Sequence, residues 1–119
     1  MPEIRPATAE MIKALNRDVP RTVRAIAAVE DGKVLGITGF YPQEGHLVMF
    51  ADIAAEARAE ISRHKRTLVR CAWKVMGMAM QRRMPIVANA DPDIEGADRL
   101  LLHLGFEPRN GSYQWLGQQ

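Results

Sequence analysis

The stretch that decides the fold covers residues 24–52 and reads RAIAAVEDGKVLGITGFYPQEGHLVMFAD. It holds three apolar runs that are separated by two short turns. Asp31–Gly32 suits a two-residue hairpin turn, because both central positions of such a turn need a positive φ. Residues 42–45 (PQEG) form the second turn, since proline and glycine favour turn geometry. The stretch therefore predicts an antiparallel meander with strands at residues 24–30, 33–41 and 46–52.

A strand and a helix precede the meander, and a long helical region follows it. Residues 3–6 are a candidate first strand. Thr8 is suited to the N-cap of a helix whose apolar face carries Met11, Ile12 and Leu15. Residues 54–60 have high helix propensity, and Ser62 either caps a new helix or lies within one continuous segment. From residue 66 onward the apolar side chains recur at helical spacing until Met84–Pro85 ends the helix.

The C-terminal part of the chain predicts a buried strand, a helix and a hairpin. Residues 85–89 (PIVAN) are short, apolar and bounded by breakers, as is typical of a buried strand. Residues 91–93 (DPD) start a helix whose inner face carries Ala97, Leu100, Leu101 and Leu104. Gly105 ends that helix, and Phe106 packs back on it. Residues 106–109 and 112–116 form a hairpin on an Asn-Gly turn.

These elements predict one α/β domain over residues 1–119, in the order β-α-β-β-β-α-β-α-β-β. The strand–helix–strand unit within residues 46–89 should bring its two strands into parallel pairing through a right-handed crossover. The sheet is then mixed, and helices on both of its faces bury the apolar surfaces.

The composition excludes several classes of protein. The chain has 119 residues, 47% hydrophobic and 25% charged, which is typical of one globular domain. A single cysteine excludes an internal disulfide framework, and three scattered histidines give no metal-site signal. No apolar run reaches the roughly 20 residues of a membrane helix. The N-terminus, MPEIRPAT, lacks the apolar segment of a signal peptide, so we expect a cytoplasmic protein without a membrane partner.

The order of elements and three short stretches resemble the GCN5-related N-acetyltransferase (GNAT) family. IRPAT at residues 4–8 resembles the family's first strand, and AAVEDGKVLGITGF at residues 27–40 resembles its second and third strands. GADRLLLHLGFEP at residues 96–108 resembles the family's "A…LY.k.GFe" segment. The resemblance covers nearly the whole chain. It implies acetyl-CoA-dependent N-acetylation of an amine that belongs to a small molecule or a protein.

The chain departs from this family at three places. The helix that usually follows the first helix is missing, since only a few residues separate Arg17 from the second strand. The phosphate signature Q/R-x-x-G-x-G/A falls on residues 62–68, which read SRHKRTL without a glycine. Leu101 replaces the tyrosine that often acts as general acid. A second hypothesis is therefore a non-catalytic GNAT-fold binding or structural module. Short proteins of this kind also resemble some phage- and prophage-encoded proteins.

The resemblance assigns cofactor contacts to the fourth strand, to the start of the long helix and to the end of the next strand. The positions are Phe50, Ala51, Asp52, Arg63, His64, Lys65, Arg66, Thr67, Leu68 and Asn89. In the family the fourth strand pairs with the pantetheine arm of coenzyme A as an added strand would. The candidates for proton transfer are His46, Asp52 and Tyr113. The side chains of His64 and His103 are expected to be solvated.

Residues 63–83 hold seven basic residues and no acidic one. On a helix, Arg63, Arg66, Arg70 and Lys74 share one face. This face is either a solvated surface, a ligand for coenzyme A phosphates, or a nucleic-acid surface. The near-balanced net charge of +2 disfavours the nucleic-acid interpretation.

Three further side chains of the long helix are the subject of predictions. Cys71 lies on its apolar face and is expected to be a core residue rather than a nucleophile. Exposure of Trp73 or Met78 would indicate a homodimer contact or a partner groove.

Overall fold

The computed structural model of the chain describes residues 3–14, 23–54, 57, 63–89, 96–109 and 111–115. Its elements follow the predicted order. They are β1 Glu3–Pro6, α1 Ala9–Ala14, β2 Arg24–Glu30, β3 Lys33–Gln43, β4 His46–Ile53, α2 Lys65–Met80, β5 Ile86–Ala88, α3 Ala97–His103, β6 Glu107–Arg109 and β7 Ser112–Trp115.

The strands form one seven-stranded sheet in the order β1-β2-β3-β4-β5-β7-β6. Neighbouring strands are antiparallel except β4 and β5, which pair in parallel over three residues each. The parallel pair confirms the predicted crossover through the long helix. The mixed α/β class is likewise confirmed.

Helices cover both faces of the sheet because alternate residues of each strand point to opposite sides. In β2, Ala27 and Val29 are buried in one cluster with Ile12 of α1. Their neighbours Ile26 and Ala28 belong to a second, larger cluster. That cluster also contains the inner face of α2, residues Leu101 and Leu104, and Phe106.

Both hairpins of the meander use two-residue turns with positive φ. Asp31 and Gly32 have φ of 51° and 78°, as the sequence predicts. The second turn is shorter than predicted, because β3 continues through Pro42 and Gln43, which pair with Leu47 and His46. Only residues 44 and 45 form that turn, with φ of 47° and 86°. Two-residue turns of this kind match the twist of the flanking strands.

The helix ends follow the predicted chemistry at Thr8 and Gly105. The Met11 N–H donates to Thr8 Oγ1 at 3.2 Å, which confirms the N-cap of α1. At the end of α3, Gly105 has φ of 98°. The N–H groups of Gly105 and Phe106 donate to the carbonyls of Leu102 and Leu101 at 3.1 and 3.0 Å. This is a Schellman ending, and it buries Phe106 as expected.

The long helix has different bounds from those predicted. α2 ends at Met80, four residues before Met84, and Arg83 has a positive φ of 54°. At the other end, His64 occupies the N-cap without a side-chain capping hydrogen bond.

Several expectations fall outside the described residues. They are Leu15, the stretch after Arg17 for which the sequence predicts no second helix, Ser62 and most of residues 54–60, the start at residues 91–93, Asn110 and Leu116. Within the described ranges, no helix is both long and apolar enough to cross a membrane.

Gly39 is required by the close approach of β2 to β3. A Cβ at this position would lie 2.6 Å from the Ala25 Cβ and closer still to the Arg24 carbonyl oxygen. We expect Gly39→Ala to lower the free energy of unfolding by about 1–3 kcal/mol, because the strands must shift to admit the methyl group. Urea denaturation followed by circular dichroism measures this change.

Gly77 offers the matched control, because a Cβ there meets nothing within 4 Å. Gly77 lies inside α2, so Gly77→Ala should stabilise the protein by about 0.5–1 kcal/mol through helix propensity. Equal effects of the two substitutions would contradict the strand packing described above.

Candidate functional site

The adjacent strands β4 and β5 separate near the middle of the sheet. β4 pairs with β5 only from Leu47 to Met49, opposite Ile86 to Ala88. β4 nevertheless continues to Ile53 and keeps its pairing with β3 up to that residue. Residues 50–53 therefore border an opening where β5 no longer runs alongside.

A cavity of about 110 Å³ lies at this opening. β3, β4 and the end of β5 form one side of it, and α2 and α3 form the other. The lining residues are Ile37, Thr38, Met49, Phe50, Ala51, Asp52, Ile53, Leu68, Ala72, Ala88, Asn89, Ala97, Leu100, Leu101 and Leu104.

Among the described residues that line the cavity, Thr38, Asp52 and Asn89 are polar and the others are apolar. Thr38 is buried, Asp52 is half-buried and Asn89 is exposed. Asp52 is the one carboxylate among the described lining residues. An engineered apolar cavity of about 150 Å³ binds benzene, so a space of this size and lining suits a small apolar group or the end of a longer chain.

The backbone of β4 presents Ala51 toward the opening. The Leu47 N–H donates to the Pro85 carbonyl at 2.8 Å, on the β5 side of the strand. Because successive peptide groups of a strand alternate in direction, the N–H groups of Met49 and Ala51 point to the same side of β4 as the Leu47 N–H. Ala51 lies beyond the last β4–β5 pair, so an extended ligand entering here would meet a strand edge.

Five of the ten positions assigned to cofactor contact meet at this cavity. They are Phe50, Ala51, Asp52, Leu68 and Asn89. The other five, Arg63, His64, Lys65, Arg66 and Thr67, do not line it. Lys65 and Arg66 are exposed at the start of α2, whereas Thr67 is buried on its inner face.

The prediction of a solvated His64 is wrong. Its side chain is 6% exposed and lines a second cavity of about 260 Å³, beside Leu35 and Ala54. His64 is buried because the start of α2 packs against the β2–β3 hairpin. His103, in contrast, is exposed as expected.

Arg63 also differs from its predicted position. It precedes the N-cap of α2, so the shared helical face is limited to Arg66, Arg70 and Lys74. The Arg63 guanidinium pairs with the Glu30 carboxylate at 3.3 Å, across the mouth of the second cavity.

The three candidates for proton transfer lie at different places. Asp52 lines the cavity. His46 begins β4, five residues before Ala51, which corresponds to about 17 Å along a strand. Tyr113 pairs with Ala88 from β7 and is half-buried against the core rather than in the cavity lining. The structure thus brings one of the three to the cavity.

Sequence reasoning missed the contribution of β3 to the cavity. Thr38 is the polar residue in an otherwise apolar stretch, and it lies opposite Ala51 in the β3–β4 register. A two-residue turn at residues 44 and 45 fixes that register, so the correct turn length would have placed Thr38 beside the opening. Leu101, which the sequence places on the inner face of its helix where the family often has a tyrosine, is buried in the same lining.

Cys71 lies in the core on the inner face of α2, as expected. Burial raises the pKa of its thiol, and the positive charges of Arg70 and Lys74 partly oppose that rise. Among the described residues, no group of three or more histidine, cysteine, aspartate or glutamate side chains is placed to hold a metal ion.

Comparisons with protein-family models, with curated proteins and with solved structures find no match for this chain. The geometry of the opening between β4 and β5 is therefore the basis for a functional proposal.

Burial of Cys71 predicts a pH dependence of stability. Because the folded pKa lies above the unfolded value of about 9.0, the thiol stabilises the fold fully below pH 9. That contribution is lost as the pH rises through the folded pKa. Urea midpoints between pH 8 and 10.5 should fall more steeply for the wild-type protein than for Cys71→Ala. Parallel curves would show that Cys71 ionises as readily in the folded chain as in the unfolded one.

Proposed function

We propose that this chain is a GNAT-like acyltransferase that binds acetyl-CoA between β4 and β5 and transfers the acetyl group to an amine. The observation that carries the proposal is the separation of these two parallel strands beside a small apolar cavity. The resemblance of the sequence to the GNAT family suggests acetyl-CoA as the ligand, and the opening between β4 and β5 is the proposed binding site.

The strand edge at Ala51 suits the amide-bearing arm of coenzyme A. Backbone groups of an extended ligand can pair with an open strand, and this mode of binding needs no particular side chain. The acetyl end would then reach the apolar lining near Leu68 and Leu101. A cavity of about 110 Å³ admits the acetyl group and the adjoining thioester but leaves the nucleotide part of the ligand outside.

Side-chain cations replace the missing glycine loop in this proposal. Lys65 and Arg66 are exposed in the first turn of α2, and Leu68 of the same helix lines the cavity. Arginine donates paired hydrogen bonds to phosphate oxygens, and its guanidinium stays charged at every relevant pH. The phosphates of coenzyme A would therefore be held by side chains rather than by backbone N–H groups at the helix start.

Asp52 is the proposed general base. Its carboxylate takes a proton from the ammonium form of the acceptor, and the neutral amine then attacks the thioester carbonyl carbon. A C–N bond forms and the C–S bond breaks. The attacking nitrogen releases its second proton to water, and the sulfur leaves as a thiolate. Leu101 cannot protonate that thiolate. A free thiol has a pKa of about 8.5, so the thiolate can leave and take a proton from water.

The buried Leu101 favours a second candidate, a GNAT-fold module that binds acyl-CoA without catalysis. No tyrosine, histidine or cysteine lies among the described lining residues of the cavity, so Asp52 alone carries the case for chemistry. The two candidates share ligand binding and differ in turnover.

Acetyl-CoA should stabilise the purified protein against heat. At 100 times its dissociation constant the ligand adds about 2.7 kcal/mol, which is a shift of several degrees for a domain of this size. Ala97→Phe should abolish the shift by filling the cavity from the first residue of α3. Ala9→Phe, the same change at the exposed first residue of α1, should leave it intact. Absence of a shift at millimolar acetyl-CoA would overturn both candidates.

Substitution of Asp52 separates the two candidates. If Asp52 is the base, Asp52→Asn should keep the thermal shift and slow the release of free coenzyme A thiol about 10²- to 10⁴-fold in a panel of primary amines. His46→Gln and Tyr113→Phe should retain the wild-type rate, because neither residue lines the cavity. Binding without thiol release in the wild-type protein would identify the non-catalytic module.

A further inference from the structure

The outer face of α2 combines an exposed tryptophan with a row of cations. Trp73 is 46% exposed, although large aromatic side chains are normally buried. Arg66, Arg70 and Lys74 are all exposed on the same side of the helix. They follow one another at intervals of four residues, which is about 6 Å along a helix axis. None of these residues lines the cavity between β4 and β5.

The Trp73 ring contacts a second aromatic ring. The His103 ring of α3 meets it edge-on, with 5.8 Å between ring centroids and an interplanar angle of 85°. This contact limits the motion of the indole and leaves much of its surface to solvent. The residue beside His103, Leu102, is 49% exposed and adds apolar surface on α3.

Gly77 leaves open space one helical turn beyond Trp73. It is exposed, and a Cβ there would meet nothing within 4 Å, so no packing contact within the described residues requires a glycine. Glycine inside a helix lowers helix stability relative to alanine. The missing side chain lets a flat group lie against the helix next to the Trp73 ring.

The charge of this region differs from that of the whole chain. Residues 63–83 hold seven basic and no acidic residues, whereas the remaining residues hold nine basic and 14 acidic ones. The net charge of +2 therefore conceals a strongly basic segment. α2 itself contains no acidic residue that could pair with Arg66, Arg70 or Lys74 along the helix.

We propose that this face of α2 binds single-stranded nucleic acid. A base stacks on Trp73 over the space left by Gly77, and the phosphates on either side contact Arg70 and Lys74. Stacking platforms flanked by cations are the physical basis of binding to single strands without base-specific readout. The carboxylates of an acidic protein segment would use the cations, but they do not stack on a planar ring as a base does. The concentration of cations on α2 therefore favours nucleic-acid binding, even though the net charge of the whole chain is nearly balanced.

Fluorescence gives a direct test, because the chain has two tryptophans, Trp73 and Trp115. In a Trp115→Phe background, whose fold is checked by circular dichroism, a 12-residue oligothymidine should quench the Trp73 emission to saturation. In anisotropy titrations of labelled oligothymidine, Trp73→Ala should weaken binding roughly 5- to 150-fold. Unchanged emission at saturation would overturn the stacking proposal.

The salt dependence of oligothymidine binding distinguishes the contribution of the cations from that of the Trp73 ring. Two phosphate contacts on a single strand predict a slope of about −1.4 in log K against log salt concentration. Arg70→Gln should reduce the magnitude of that slope by about 0.7, whereas Trp73→Ala should leave the slope unchanged. A slope near zero, or one that Arg70→Gln does not alter, would contradict phosphate contact.

Gly77→Gln distinguishes a stacking site from a general basic surface. The substitution favours the helix, and it should raise thermal stability while weakening oligothymidine binding. A polyglutamate peptide of equal charge should bind at least tenfold more weakly than the oligonucleotide. Equal binding of the peptide would overturn the proposal in favour of an acidic protein partner.

Competition with acetyl-CoA tests whether this face is separate from the proposed acyl-CoA site. Acetyl-CoA at saturation of its thermal shift should leave oligothymidine bound, and Ala97→Phe should leave the oligothymidine affinity unchanged. Displacement by acetyl-CoA would reassign Trp73 to the nucleotide part of coenzyme A. Loss of acetyl-CoA binding alone would count against the acyltransferase proposal and not against this one.

Discussion

The short parallel pairing of β4 and β5 is the constraint on which the rest of the structure depends. It joins the antiparallel strands β1 to β4 to the group formed by β5, β7 and β6. Three residue pairs make the connection, and the hydrogen bond from the Leu47 N–H to Pro85 begins it. Parallel strands need a long crossover, and α2 supplies it across the buried side of this seam. Val75, Met76 and Ala79 of α2 are fully buried in the same cluster as Ile86.

Because the pairing stops after Met49, the sheet opens while β4 continues. β4 stays extended beyond Met49 because it remains paired with β3 up to Ile53. The pairing with β3 therefore maintains the edge of the opening without a loop. α2 and α3 close the space from one face with small and branched apolar side chains. Among the described residues, candidate chemistry is thereby confined to the few polar groups of the lining, of which Asp52 is the one carboxyl group.

Local chemistry made most of the fold predictable. The two turns of the meander, the Thr8 cap and the Gly105 ending all depend on residues within a few positions of one another. Predictions failed where the outcome depended on packing between distant segments. His64 is surrounded in sequence by cations, which suggested a solvated position, yet the hairpin at Leu35 covers it. The separation of His46 from the cavity follows from where β5 pairs along β4, and no local pattern specifies that.

The candidate site was predictable only in part, for the same reason. Phe50, Ala51 and Asp52 were assigned through the order of elements, which local signals had already established. Thr38 required the register of two strands, and that register changed when the second turn proved to be two residues long. An error of two residues in one turn was enough to hide one of the three polar lining residues.

α2 separates two environments across a single helix. Its inner face carries Leu68 and Ala72 into the apolar cavity, and its outer face carries Arg70, Trp73 and Lys74 to solvent. Cys71 lies between them, where burial raises the thiol pKa and the outer cations oppose that rise. The cations thus act electrostatically across the helix even though their side chains point away from the core. A ligand phosphate or a nucleic-acid strand bound on the outer face would weaken that opposing field.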